Sequence, residues 1–282
     1  MSALVDNLYL KIQHADNNAQ EIDRLMYEMF AGGLAISTEF NEEVGETTFV
    51  LNESIEVNPA ISVRCGEVAH QLRSCLDHIV FYLASRANPP LSDGQLKQIE
   101  YPIFVDQNRF SADVGRKLRG LPSSAIDIIE RFQPFHAVPP TTPTTHPLWL
   151  LHEMNRIDKH RALHVVSAVG TARGVSLEGQ IVNGEIIIQA PPRAILEKGK
   201  ALMKVKGAKA TFQNGSVPSV HIAFEEVGGF KDGPVLPILC GLRDFTIDLI
   251  AALTSYEQSK YSPTPSPTDT SRIANWDWIG RF

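Results

Sequence analysis

Two stretches of the sequence carry most of the side chains that could do chemistry. The first, residues 60–86 (AISVRCGEVAHQLRSCLDHIVFYLASR), sets Arg73, Ser74, Asp77 and His78 within two turns of a predicted helix. A histidine takes up or gives a proton near neutral pH, and a neighbouring guanidinium can hold a phosphate and its developing charge by bidentate hydrogen bonds. Arg73 and His78 therefore have the types that metal-free attack of a ribose 2′-OH on the adjacent phosphate requires. On a regular helix their directions differ by about 140°, so both reach one ligand only if a partner helix or a second subunit closes the site. The plainer alternative is that Arg73 and Asp77, at i and i+4, form a helix ion pair while His78 packs at the edge of the core.

The second stretch, residues 148–163 (LWLLHEMNRIDKHRAL), has an apolar stripe of Leu150, Met154 and Ile157. Arg161 extends that stripe by one turn, and Asp158 lies beside it. A charge on a buried face costs several kcal/mol unless it is paired. Asp158 and Arg161 are thus expected to pair with each other or with Asp77 and Arg73 across the bundle. Read structurally, this is an ion-pair network that fixes helix register. Read functionally, Arg73, Asp158, His160 and Arg161 form an anion or phosphate site. Glu67-x-x-His70 has the spacing of carboxylate-bridged di-metal bundles, but the sequence has no second Glu-x-x-His to complete one. No metal is expected. A P-loop, a dinucleotide fingerprint, a nucleophile elbow and paired CxxC motifs are also missing, so no cofactor is expected.

The segment Arg73-Ser74-Cys75-Leu76-Asp77-His78 resembles the R-x4-6-H signature of HEPN-domain ribonucleases, in which a polar residue commonly follows the arginine. That resemblance implies a helical, often dimeric bundle that acts on RNA without a metal. Arg73 would be the phosphate clamp, His78 the acid/base and Ser74 the supporting polar residue. The pairing of LRS-x-LDH with a later N-x-IDKHR, over about residues 60–165, also resembles a widespread set of uncharacterised bacterial proteins, a likeness that brings no activity with it. Two function classes follow: a metal-independent endoribonuclease, or a non-catalytic binding or structural protein whose Arg/Asp/His network is a buried ion-pair cluster.

The elements that must position these residues point to an α+β fold. The expectation is a helical bundle of about four main helices, near 3–30, 60–86, 148–163 and 237–257. A small antiparallel β-sheet and an N-terminal β-hairpin complete it. Residues 1–165 would form the bundle with the hairpin inserted, 166–236 an antiparallel β region, 237–258 a helix packing back on the bundle, and 259–282 a Pro/Ser/Thr-rich tail. Alternation about Gly45 over 34–53 gives the hairpin. Asn58-Pro59 is a start signal for the central helix. Asn183-Gly184 and Asn214-Gly215 suit type I′ turns, whereas AILEKGKALMKV (194–205) fits a strand or a short helix. YPIF at 101–104 reads as a short extended piece. Residues 109–121 and 123–132 read as two short helices, and the first holds the most basic run, Arg109, Arg116, Lys117 and Arg119. That run is either a solvated face or a phosphate-contacting edge. The tail residues Trp276, Trp278 and Phe282 are expected to dock on the body or on a partner subunit.

A formal net charge of −6 leaves no global basic field to attract nucleic acid, so an RNA role needs a local patch. The three cysteines are too few for a disulfide framework and suit buried thiols in a reducing cytoplasm. No apolar run approaches the ~20 residues that cross a bilayer, and the first residues lack the pattern of a secretory signal. The expected location is therefore cytoplasmic, away from membranes.

Overall fold

The structure, a computed structural model, describes residues 2–163, 165–169, 175–178, 187–189, 194–195, 197–212, 220–225, 227 and 233–259. The fold is α+β. Its helices are α1 (Ser2–Phe30), α2 (Pro59–Ser85), α3 (Asp93–Leu96), α4 (Gln107–Lys117), α5 (Ser123–Arg131), α6 (Pro147–Asp158) and α7 (Val235–Ser259), with a 3₁₀ turn at Pro134–His136. That makes seven helices among the described residues where about four main ones were expected. Beyond the main four are α3, α4 and α5, short pieces of 4, 11 and 9 residues in the connection from α2 to α6; α4 and α5 fall on the two short helices expected at 109–121 and 123–132, and α3 has no counterpart in the expectation. The strands are β1 (Ile36–Asn41), β2 (Glu46–Leu51), β3 (Val165–Val169), β4 (Val175–Glu178), β5 (Ile187–Gln189), β6 (Ala194–Ile195), β7 (Ala201–Lys206), β8 (Lys209–Phe212) and β9 (Val220–Phe224).

α2 is the central element. It begins as its sequence indicates: Asn58 caps it, with Oδ1 accepting from the Ala60 N–H at 2.9 Å, and Pro59 occupies the first turn, where its missing donor costs nothing. Ile61, Cys65, Val68, Leu72, Leu76, Ile79 and Leu83 are all buried. α1, α6 and α7 pack around them. α1 runs antiparallel to α2, as cross-links at both ends and the middle show: Arg64 to Asn18, Lys11 to Gln71, and the Cys75 thiol to the Leu8 carbonyl. α7 is tied to α1 by Arg243–Asp16 at 2.6 Å. Cys65 and Cys75 are buried free thiols, and Cys240 is half-buried. Burial pushes the Cys75 thiol up to about 12, which keeps it protonated and unreactive.

The β elements are antiparallel throughout. The N-terminal hairpin β1–β2 is part of a four-stranded sheet in the order β1-β2-β7-β5, so it is continuous with the later β region. The 194–205 stretch resolves as strands, β6 and the start of β7. Its alternation puts Met203 and Val205 on one face, in a small satellite core with Phe49 and Ala210, and Leu202 on the other, against Leu51. Thr47 fastens that core, with Oγ1 donating to the Ala208 carbonyl at 2.9 Å and accepting from the Ala210 N–H at 3.0 Å. β9 sends Ile222 and Phe224 into the main core. The expected turns at 183–184 and 214–215, and the tail aromatics at 276–282, lie outside the described residues. No helix among the described residues is long and apolar enough to cross a membrane.

α6 starts one residue earlier than the apolar pattern suggests, because His146 caps it. Its Nδ1 accepts from the Leu148 N–H at 3.2 Å, and its ring stands edge-on to Phe245. The capping nitrogen must be unprotonated, and burial pushes His146 down to about 4, well below the ordinary histidine value. Between about pH 6.5 and pH 4 the unfolded chain binds a proton there that the folded chain excludes. This contribution to stability is therefore complete above pH 6.5 and is lost as the pH falls through that window. In urea unfolding at pH 7 and pH 5, the wild-type protein is expected to lose about 2 kcal/mol more than a His146→Asn variant, whose side chain still offers an acceptor but does not titrate.

Candidate functional site

Arg73 and Asp77 meet on α2, one turn apart. Arg73 is only 8 % exposed, so its charge requires partners. Nη1 donates to Asp77 Oδ1 at 2.6 Å and Nη2 donates to the Tyr101 carbonyl at 2.8 Å. The same Asp77 oxygen accepts from the Tyr101 N–H at 2.8 Å. The pair thus grips both backbone polar groups of one residue. A second side chain holds the main chain of the residues that follow. The fully buried Gln133 donates from Nε2 to the Pro102 carbonyl at 2.8 Å and accepts at Oε1 from the Phe104 N–H at 3.0 Å. The YPIF segment, expected to be a short extended piece, lies outside every helix and strand. Its buried main-chain groups take these side chains in place of a ladder partner.

Around this clamp lie further charges. Lys117 pairs with Glu100 and sits over the Phe104 ring at 5.6 Å. Burial alone would raise the Glu100 carboxyl, but Lys117, with Arg73 and Arg116 beyond it, holds it below the usual carboxylate range. Arg116 pairs with Asp113 at 2.8 Å, so half of the basic run on and beside α4 is already neutralised. His152 on α6 stacks on Trp149; burial lowers its proton affinity and the nearby Arg73 lowers it further.

The remaining candidates lie elsewhere. Ser74 Oγ is 3.5 Å from His78 Nε2, so these two are together, but His78 turns away from Arg73 towards α1. It lines an open groove with Lys11, His14, Gln71, Asn7 and Leu10. Burial and the Lys11 charge lower the proton affinity of His78, against the pull of Asp77. Asp158 ends α6 and lies against Gly66 of α2, where a Cβ would overlap its carboxylate. Burial raises the Asp158 carboxyl above its usual range, opposed by His70 and reinforced by Glu67. Among the described residues Asp158 forms no ion pair. The expected link from Asp158 across the bundle to Arg73 is therefore not made: Arg73 pairs with Asp77 within α2, and Asp158 packs on the bare backbone of Gly66. His160 and Arg161 follow α6 in a turn and are exposed, so Arg161 does not extend the buried stripe. The helix stops at Asp158, and that ends the periodicity the stripe relied on.

The seven residues singled out from the sequence thus fall into three places: the Arg73–Asp77 clamp, the Ser74–His78 edge of the α1/α2 groove, and the end of α6. Sequence reasoning missed Lys11, Gln133 and Gly66. Gln133 had a readable signal, a lone amide between Phe132 and Pro134. Gly66 had one too, as a gap in the α2 stripe. Lys11 had none, since its place depends on the register between α1 and α2. No cluster of three or more His, Cys, Asp or Glu side chains suited to a metal occurs among the described residues. Comparison with protein-family models, with curated proteins and with solved structures finds no match.

Two stability predictions follow from this geometry. Arg73→Ala should cost about 3 kcal/mol in urea unfolding, the lower end for a broken buried pair because Asp77 keeps one side in water. Asp77→Asn should cost about as much, because the amide oxygen still accepts from the Tyr101 N–H but leaves the buried Arg73 charge without a counter-ion. Gly66→Ala should destabilise by about 1–3 kcal/mol through overlap with Asp158. Adding Asp158→Ala should reverse that loss, since alanine favours a helix interior over glycine by about 1 kcal/mol. Additive effects of the two substitutions would show that the carboxylate does not lie on Gly66.

Proposed function

We propose that the chain is a non-catalytic binding protein in which the Arg73–Asp77 pair is a structural clamp. The observation that carries this reading is the use of the Arg73 guanidinium: both terminal nitrogens are committed to Asp77 and to the Tyr101 backbone, in a site 8 % exposed. A phosphate would have to displace these bonds before the guanidinium could hold it, and the 99–105 segment would lose its anchor.

A second reading, a metal-independent endoribonuclease of HEPN type, draws on a different observation. His78 lies on an open groove with a lysine, and its lowered proton affinity favours the neutral, base-competent imidazole near pH 7. In that reading RNA is the partner, Lys11 shares the groove with His78, and a second copy of the chain would supply what one copy leaves open. The resemblance to bacterial proteins fits either reading, and both are compatible with a cytoplasmic protein.

The deciding experiment incubates a mixed RNA pool in EDTA with wild-type protein and with a folded His78→Ala variant. The expected outcome is no cleavage by either. Cleavage by the wild type that disappears in the variant would establish the ribonuclease and overturn the binding reading.

A further inference from the structure

The α1/α2 groove is the feature of the surface that the clamp leaves unexplained. It encloses about 330 Å³ and is lined by Asn7, Leu10, Lys11, His14, Gln71 and His78. Its polar lining is amides, imidazoles and one ammonium, and no carboxylate lines it. Lys11 is half-buried, and its nearest polar partner is the Gln71 side-chain oxygen at 3.5 Å, the far limit of a hydrogen bond. Among the described residues it has no acidic partner, although the chain as a whole carries a net charge of −6. Asp77, the neighbour of His78 in sequence, is bonded to Arg73 and the Tyr101 N–H and not to Lys11.

Helix register sets the spacing of the donors. Gln71 faces Lys11 and Cys75 faces Leu8, so Lys11 sits between His14, one turn away on its own helix, and His78, two turns along α2 from Gln71. Ser74 Oγ supports the His78 ring at Nε2, and Asn18 contacts His14 at Nδ1 at 3.2 Å. Lys11 brings the groove's positive charge, the imidazoles and the two amides add N–H donors, and no carboxylate lines the groove to neutralise the lysine. An oxyanion supplies what such a set lacks. The exposed Leu10 offers an apolar contact to whatever carries that oxyanion.

We propose that this groove binds a phosphate-bearing ligand, with Lys11 as the anchoring cation and His78, His14 and the Gln71 amide as the surrounding donors. The groove is open, so the phosphate at Lys11 can belong to a larger molecule that extends out of it. The inference rests on the binding reading above and names its ligand class; it needs no bond to break.

The test is titration of the full-length protein with inorganic phosphate at pH 7, with ionic strength held constant by chloride, followed by nitrogen-edited NMR of the histidine rings and side-chain amides. Saturable shifts are expected at His78, His14 and Gln71, with affinity at least fivefold weaker in Lys11→Gln and unchanged in Lys159→Gln. Two further probes, inorganic pyrophosphate and a short single-stranded RNA, separate the sources. Tighter binding of pyrophosphate identifies a small phosphorylated ligand, and tighter binding of RNA identifies a nucleic-acid backbone. Shifts that chloride alone reproduces, or that persist unchanged in Lys11→Gln, overturn the proposal. RNA cleavage in EDTA would overturn the binding reading while leaving phosphate capture at Lys11 intact, so the two failures are distinguishable.

Discussion

The structure depends on a segment that has no strand beside it. Residues 101–104 run through the bundle between α2 and the end of α5, and every buried N–H and C=O there must find a partner or cost about 1–3 kcal/mol. A sheet would solve this with a neighbour. Here the solution is side chains: one ion pair from α2 and one amide from Gln133 satisfy four main-chain groups. Once that is seen, the pairing of Arg73 with Asp77 ceases to be a surface decoration. It is a two-headed backbone partner, and its charge makes each bond short and strong.

The same constraint explains why the sequence was easier to read for fold than for site. α1, α2 and α7 were legible because each follows a rule of local origin: a 3.6-residue apolar stripe, an Asn-Pro start, a Gly pair after α1. The two short helices near 109–121 and 123–132 were legible for the same reason, and the hairpin about Gly45 was too. What could not be read is anything fixed by where two elements cross. Arg161 continued a stripe only on the premise that α6 runs on, and the helix ends at Asp158. Asp158 seemed to require a cation, when what it meets is the bare backbone of Gly66. Arg73 and His78 share a helix and a spacing, yet they look into different neighbours, Arg73 into the 99–105 segment and His78 towards α1.

Charge in this protein is arranged by subtraction. Arg73 occupies Asp77, Glu100 occupies Lys117, and Asp113 occupies Arg116. What is left over defines the surface a ligand meets. A count of basic residues along the chain points to α4, where half of the charges are already matched. The pairing pattern points to Lys11, a residue of no distinction in the sequence.

The four-stranded sheet has a further consequence, for the order in which the protein is made. β2 ends at Leu51 and its partner β7 begins at Ala201. Synthesis at roughly 5–20 residues per second separates the two by about 8–30 s. Throughout that interval the hairpin has emerged with one edge unpaired, a row of open donors and acceptors of the kind that joins other chains. Glu46 on that edge, which later receives Lys204 and Lys206, places a lone negative charge in the open row while it waits. The residue that closes the sheet in the finished protein thus also discourages the nascent one from pairing with the wrong strand.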